Sequence, residues 1–324
     1  MVGLNVFDWR SVVVGGALAL LATSAPEALA EESPHRVLAK QIAGEEFAGL
    51  AMKYCYGRKY ATPPSQVEYG ASRVFDNLVF LGAGTNSNKW NAWALLTSEG
   101  IVLFDPLASD EEAERIVVQG LKSVGLDARQ IKKIVVMHGH ADHYGGAPYL
   151  QELSGAEVYM SELDFAHMQT LVVPAELSAA RKPERVTFLE DGEVLSLGDT
   201  SIRFHLTPGH TPGTLSATLP VRDGNAEHVA FYRGGTGAMG GLVMMEKFLQ
   251  STLQSRRIAL DAHAEVFLSN HPVSDMTSVR LPLLPSRASG APHPFVIGIH
   301  GVDRALAVAQ ECLVASIEDE MKKR

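Results

Sequence analysis

The sequence predicts an α/β fold of two packed β-sheets with helices outside. Three observations predict it. Strand signals fall in two blocks, roughly 74–104 and 186–232. Helical periodicities lie before, between and after those blocks. Histidine-bearing loops repeatedly follow an apolar strand, as happens where strands end on a common edge.

In chain order, the first thirty residues predict an export signal. A short polar start ends at Arg10, an apolar run follows over Val12–Thr23, and Ala28-Leu29-Ala30 offers a small-x-small cleavage site. The run is shorter than the roughly 20 residues a bilayer span needs. The chain is therefore expected in the periplasm or secreted, with no membrane attachment after cleavage. Residues 31–70 predict one amphipathic helix over 35–55 (Val37, Leu38, Ile42, Phe47, Leu50, Met52) and a linker containing Pro63-Pro64. The domain then runs from 71 to 324. Leu78–Leu81 is a strand, and Trp93–Leu96 and Ile101–Phe104 form a hairpin around Ser98-Glu99-Gly100. Ser109 and Glu112 make a capping box for the next helix. Ile134–Met137 and Ala156–Met160 are strands, each followed by a helix, and 171–183 reads as a flap over the groove. From Val186 the texture turns β through Tyr232. Met244–Ala262 and Val302–Met321 are helices, and Ala264–Leu268 is a strand between them.

Of the 324 residues, 46% are hydrophobic and the net charge is −9. An acidic balance without a basic face argues against nucleic acid and leaves a small molecule as the expected partner. Oligomeric state is not legible. Cys55 and Cys312 are the two cysteines. An oxidising compartment would allow a bridge from the N-terminal segment to the final helix, but two separate, partly buried thiols is the expectation.

The densest chemistry is His138-Gly139-His140-Ala141-Asp142-His143, just past the strand Ile134–Met137. Imidazole and carboxylate suit zinc. His138 and His140 are two apart and can serve one ion, while Asp142 and His143 reach a second. Thr207-Pro208-Gly209-His210-Thr211-Pro212-Gly213 places one imidazole rigidly between two Pro-Gly turns. His210 completes a three-histidine set, the usual complement of protein ligands at a catalytic zinc. His271, after the strand from Ala264, is expected to join Asp142 and His143; His263 is its competitor. His35, His167, His205, His228, His293 and His300 have no partner spacing. Asp105, at the end of Ile101–Phe104, suits a hydrogen bond to a ligand imidazole or a loop amide, or a plain turn. Asn86, Trp90, Trp93 and Tyr144 are candidates to line the groove, or to pack.

His138-x-His140-x-Asp142-His143, then Gly209-His210-Thr211-Pro212-Gly213, then His271, resembles the metallo-β-lactamase superfamily over roughly residues 74–275. The resemblance implies an αβ/βα sandwich of two mixed sheets flanked by helices, with two zinc ions at one edge. Many hydrolases of that superfamily, the glyoxalase II thioesterases and the lactonases among them, place a metal-bridging aspartate at a fourth motif. Two β-lactamase subclasses place a cysteine there. Here Phe231–Gly237 holds neither. The pattern is similar to the third β-lactamase subclass, with three histidines at one zinc and Asp-His-His at the other. That implies an exported enzyme of antibiotic resistance that opens a cyclic amide. Asp142 would act as the catalytic residue, orienting water whose pKa zinc lowers to about 7. Arg233-Gly234-Gly235-Thr236 departs from that subclass's serine-containing stretch, and Arg233, Thr236 and Tyr144 are the candidates for substrate contact. A zinc lactonase, thioesterase or other esterase is the alternative, followed by a non-catalytic zinc-binding protein.

Overall fold

The computed structural model describes residues 32–57, 70–82 and 90–324. The expected signal at 1–30, the linker prolines at 63 and 64, and Asn86 lie outside them. Residues from Ser33 onward form one compact unit. Its two sheets contain seven strands (β1–β7) and five (β8–β12).

The first sheet runs in sequence order. β1 (Ser72–Phe75), β2 (Leu78–Gly82), β3 (Asn91–Thr97) and β4 (Gly100–Phe104) pair antiparallel. β5 (Ile131–Val135), β6 (Glu157–Met160) and β7 (Thr187–Phe188) then continue it in parallel. The segment from Val186, read with the later β block, thus supplies the last strand of the first sheet. The second sheet has the order β12-β11-β10-β9-β8: Val266–Ser269, Ala226–Arg233, Leu215–Asp223, Thr200–Leu206 and Val194–Leu197. Both sheets are mixed, since β12 is parallel to β11 and the other pairs are antiparallel.

Alternation along the strands builds the layers. Phe80, Trp93, Leu95, Phe104, Val135 and Met137 face Ile202, Phe204, Leu215, Leu219 and Tyr232 across the middle. Val79, Leu81, Leu103, Ile134 and Val136 point outward onto the helices of 110–123 and 147–154. On the opposite outer face, Phe231 and Phe267 pack against the N-terminal helices and the final helix, Gly298–Met321. The order is helix, sheet, sheet, helix, as expected.

Two expectations are corrected. The single helix over 35–55 is two, Pro34–Ala43 and Ala48–Tyr56. Gly44 closes the first with φ +56°, a left-handed conformation that ends helical hydrogen bonding. The two cysteines are bonded to each other, not separate, because the second helix packs on the final one with both side chains buried between them. The capping box forms in altered shape. Ser109 accepts from the Glu112 amide at 3.2 Å, but the Glu112 carboxylate takes the Ala108 amide (3.3 Å) and the Trp90 indole (2.7 Å). Among the described residues, no helix is long and apolar enough to cross a membrane.

Candidate metal centre

The strand ends deliver the ligands. β5 runs into Val136 and Met137, whose backbone is taken over by both sheets. The Met137 amide donates to Asp105 (2.8 Å), and its carbonyl accepts from Leu215 at the start of β10 (2.8 Å). Residues 138–143 therefore emerge at the seam between the sheets, beside the turn that carries His210.

The ligand atoms of His138, His140 and His210 lie within 4.8 Å of one another, as do those of His138, Asp142 and His143. His138 Nε2 faces His210 Nε2 at 3.1 Å. A tetrahedral zinc with Zn–N of about 2.0–2.1 Å holds its nitrogens about 3.3 Å apart, so the pair is already near bonding geometry. His143 is fully buried. Asp142 Oδ2 stands 3.2 Å from its Nε2 and Asp105 Oδ2 3.5 Å from its Nδ1, yet neither nitrogen makes a well-aligned hydrogen bond. An orphaned buried imidazole beside a carboxylate is what a cation site leaves when described without its ion. The residues fit zinc. His271 is buried with its ring edge-on to His143, centroids 5.1 Å apart, while its competitor His263 follows the Ala262 cap of the helix Leu242–Asp261, with φ +53°. Of the remaining histidines, His35 pairs with Glu311, His228 with Glu265, and His293 with the Val74 carbonyl.

Burial, then the neighbouring rings of His143, His210 and His140, holds His138 well below its ordinary pKa. Burial and His140 do the same to His210. Both stay neutral ligands. Burial would push the Asp142 carboxyl up, but His143, His271 and His140 outweigh it and hold it well below the carboxylate range. Burial would push His143 down, but Asp142 and Asp105 outweigh it and raise it to about 9.

Groups behind the ligands fix their orientation. The Gly237 carbonyl takes His210 Nδ1 (2.6 Å). Asn270 lies 3.3 Å from His138 Nδ1 and donates to the Gly234 carbonyl (2.7 Å). Asp105, read from sequence as a bond acceptor or a turn residue, is both. Its φ is +52°, and it accepts from the Met137 amide and the Tyr232 hydroxyl (2.7 Å) beside His143. Sequence reasoning missed Asp164. Fully buried, it accepts from the Gly139 amide (2.8 Å), the Thr211 hydroxyl (2.5 Å) and the Gly213 amide (2.6 Å), joining the two histidine loops. The available signal was Ser161-x-x-Asp164, a capping pattern directly after β6. Ser161 does cap that helix, through the Asp164 amide (3.1 Å), and also donates to the Gly213 carbonyl (2.6 Å).

A cavity of about 750 Å³ opens over His140, Asp142, His210 and His271. Tyr144 and Thr236, two of the candidates for substrate contact, line it, and so do Leu171–Pro174 and Leu177 of the segment read as a flap. Arg233 is not in its wall, which corrects its expected place against the substrate. The guanidinium is buried behind Phe248, 4.5 Å above that ring, and donates to the Thr252 hydroxyl (2.7 Å). Trp90 and Trp93 pack elsewhere, on Glu112 and on the Ser269 carbonyl. At the fourth motif, a side chain on Gly235 would meet His210 Cβ at 2.5 Å, and one on Gly234 the Leu215 carbonyl at 2.0 Å. The side chains of His210 and Thr214 at Gly235, and the Leu215 carbonyl at Gly234, fill the space a carboxylate side chain would need at these two positions.

Comparison with known proteins agrees with this geometry. Residues 91–223 match the profile of the Metallo-beta-lactamase superfamily. An uncharacterised protein of Aquifex aeolicus is 34% identical over 161 residues, covering 47% of this chain and 71% of that protein. The probable metallo-hydrolase YqgX of Bacillus subtilis is 24% identical, over 57% of this chain and 87% of its own length. The fold is similar to that of the FEZ-1 metallo-beta-lactamase from Legionella gormanii, with a TM-score of 0.63 and 21% identity over 82% of this chain and 98% of that one.

Proposed function

The chain belongs to the metallo-beta-lactamase superfamily and is a metal-dependent hydrolase; from that premise we propose that it is exported, holds two zinc ions and opens a cyclic amide of the β-lactam kind. The donor set carries the reading: three imidazoles in one group, Asp142 and His143 in the other with the His271 ring beside His143, and no room for a carboxylate at Gly234 or Gly235. The thioesterases and lactonases that this motif pattern resembles rely on that carboxylate.

His138, His140 and His210 would hold one zinc, and Asp142, His143 and His271 the other. Zinc, when bound, supplies a Lewis acid for a carbonyl and lowers the pKa of water to about 7. Asp142, kept ionised by its imidazole neighbours, accepts a hydrogen bond from the attacking water and orients it. The Gly237 carbonyl holds the His210 ring against rotation, and Asp105 places its charge beside His143. Burial, then Asp142, raises the Tyr144 hydroxyl above its ordinary pKa. It therefore keeps its proton at neutral pH and is a donor for the anion that develops on the substrate. The Cys55–Cys312 bond suits an oxidising compartment, which supports export.

A second reading, hydrolysis of an ester or thioester, draws support from the apolar residues of the cavity wall, which suit an acyl chain. Turnover of nitrocefin and a carbapenem by the zinc-loaded protein, beside a lactone and a thioester, separates the two. β-Lactam hydrolysis abolished by chelation is expected. Ester turnover alone would select the second reading, and chelator-insensitive turnover would overturn zinc chemistry. Amino-terminal sequencing of protein from the periplasmic fraction should begin just after Ala30.

A further inference from the structure

Among the described residues, the wall of the cavity holds one lysine, Lys53, on the helix Ala48–Tyr56. Its side chain is 6% exposed. Lysine is seldom buried so deeply without a reason to keep its charge there. The ammonium lies over the Tyr54 ring, 3.8 Å from its centroid, and the same cavity wall carries the apolar Leu171, Val172, Leu177, Met245, Phe248 and Leu313. A charge in such surroundings attracts an opposite charge more strongly than it would in water.

The placement is built, and it connects to the metal centre. The Lys53 ammonium donates to the Thr236 carbonyl. The next carbonyl along, that of Gly237, orients His210. Two residues beyond Lys53, Cys55 bonds to Cys312 on the final helix, whose Ala309 and Leu313 also line the cavity. The disulfide therefore pins the lysine-bearing helix against the substrate wall.

We propose that Lys53 is the anion anchor of this cavity, and that the substrate carries a carboxylate joined to an apolar arm. The proposal rests on the hydrolase reading of the same site but not on which bond is broken. It also reassigns the cationic role expected of Arg233, which lies buried behind Phe248. Lys53 would meet the carboxylate, and the flap residues with Met245 and Phe248 would cover the arm.

Equilibrium binding by calorimetry tests this without turnover, so its failure is distinct from failure of the β-lactam reading. The zinc-loaded protein is titrated with 4-phenylbutyrate and with its uncharged amide, 4-phenylbutyramide. Any contact of the carboxylate with zinc is common to all variants. Lys53→Met should weaken the carboxylate about tenfold or more, the worth of a charge-assisted hydrogen bond, and leave the amide unchanged. Lys53→Arg, which keeps the charge, should stay within about threefold of wild type. Unchanged carboxylate affinity in Lys53→Met would overturn the proposal. So would equal weakening of both ligands, which would make Lys53 only a tie for Thr236. If Lys53→Met does not fold, Lys53→Gln takes its place; if neither yields zinc-loaded protein, the role is structural and the proposal falls.

Discussion

Two buried carboxylates stand behind the metal centre and do different work. Asp164 touches no imidazole in its hydrogen bonds. It binds backbone amides of both histidine loops and the Thr211 hydroxyl. Asp105 binds one backbone amide and the Tyr232 hydroxyl, and places its free edge 3.5 Å from His143. The first carboxylate sets where ligands stand; the second also sets the charge one ligand carries. The His138/His140/His210 group is accordingly all imidazole, with neutral carbonyl and amide groups at its back. The second group contains an imidazole between two carboxylates.

The largest expected effect comes from breaking the first group itself. His210→Ala should release about one zinc equivalent and lower turnover by more than the roughly 10–100-fold that outer-sphere partners are worth; zinc analysis and steady-state kinetics check both. His271→Ala should also release about one equivalent, whereas His263→Ala should release none. If the two exchange behaviour, the second group has been assigned the wrong histidine.

Next come the supporting carboxylates. Asp105→Asn replaces an acceptor with an amide donor beside His143 and Tyr232. One zinc should bind about 10–100-fold more weakly, and competition with a chromophoric chelator should leave the other unaffected. Asp164→Asn necessarily turns an N–H toward a loop donor, because both of its oxygens accept. An unsatisfied buried donor costs about 1–3 kcal/mol, so the metal-free protein should melt several degrees lower. Equal effects of the two substitutions on both zincs would erase the distinction between positioning and charging.

The clustering of the candidate ligands was legible in sequence because chemistry and spacing coincide: imidazoles at i and i+2 after an apolar strand have few other uses. Asp105 was half legible, since a carboxylate at a strand end serves equally as a turn. Asp164 and Lys53 were not. Asp164 looks like an ordinary third residue of a capped helix, and only the approach of Gly139 and Gly213 in space gives it another purpose. Lys53 sits on an N-terminal helix more than eighty residues before His138, so only packing against the final helix brings it to the cavity. The reverse failure, Arg233, came from proximity to the fourth motif: β11 alternates, and its last side chain points toward Thr252 and Phe248. The split sheet assignment at 187–188 has the same origin, because two exposed strand residues do not announce which edge they extend.

The smallest expected effect is the most direct measure of the charge contrast. In the metal-free protein His143 is raised to about 9, with burial opposed and outweighed by Asp142 and Asp105. A histidine raised above its unfolded value of about 6.5 contributes its stability in full below that pH and loses it as pH climbs through about 9. His138 and His210 lie well below 6.5, so they cost stability only as pH falls under about 6.5, where the unfolded chain takes up protons and the fold does not. Thermal melting of the chelated protein should therefore show a midpoint that declines from pH 6.5 to 9. His143→Gln should flatten that alkaline decline; it should also alter the acid side, because His143 is the main neighbour holding Asp142 low and the main ring holding His138 low. Zinc should abolish the alkaline decline as well, since the ion replaces the proton on His143. A decline that persists unchanged in His143→Gln would mean that Asp105 supports the ring without charging it, and the two carboxylates would then differ only in what they touch.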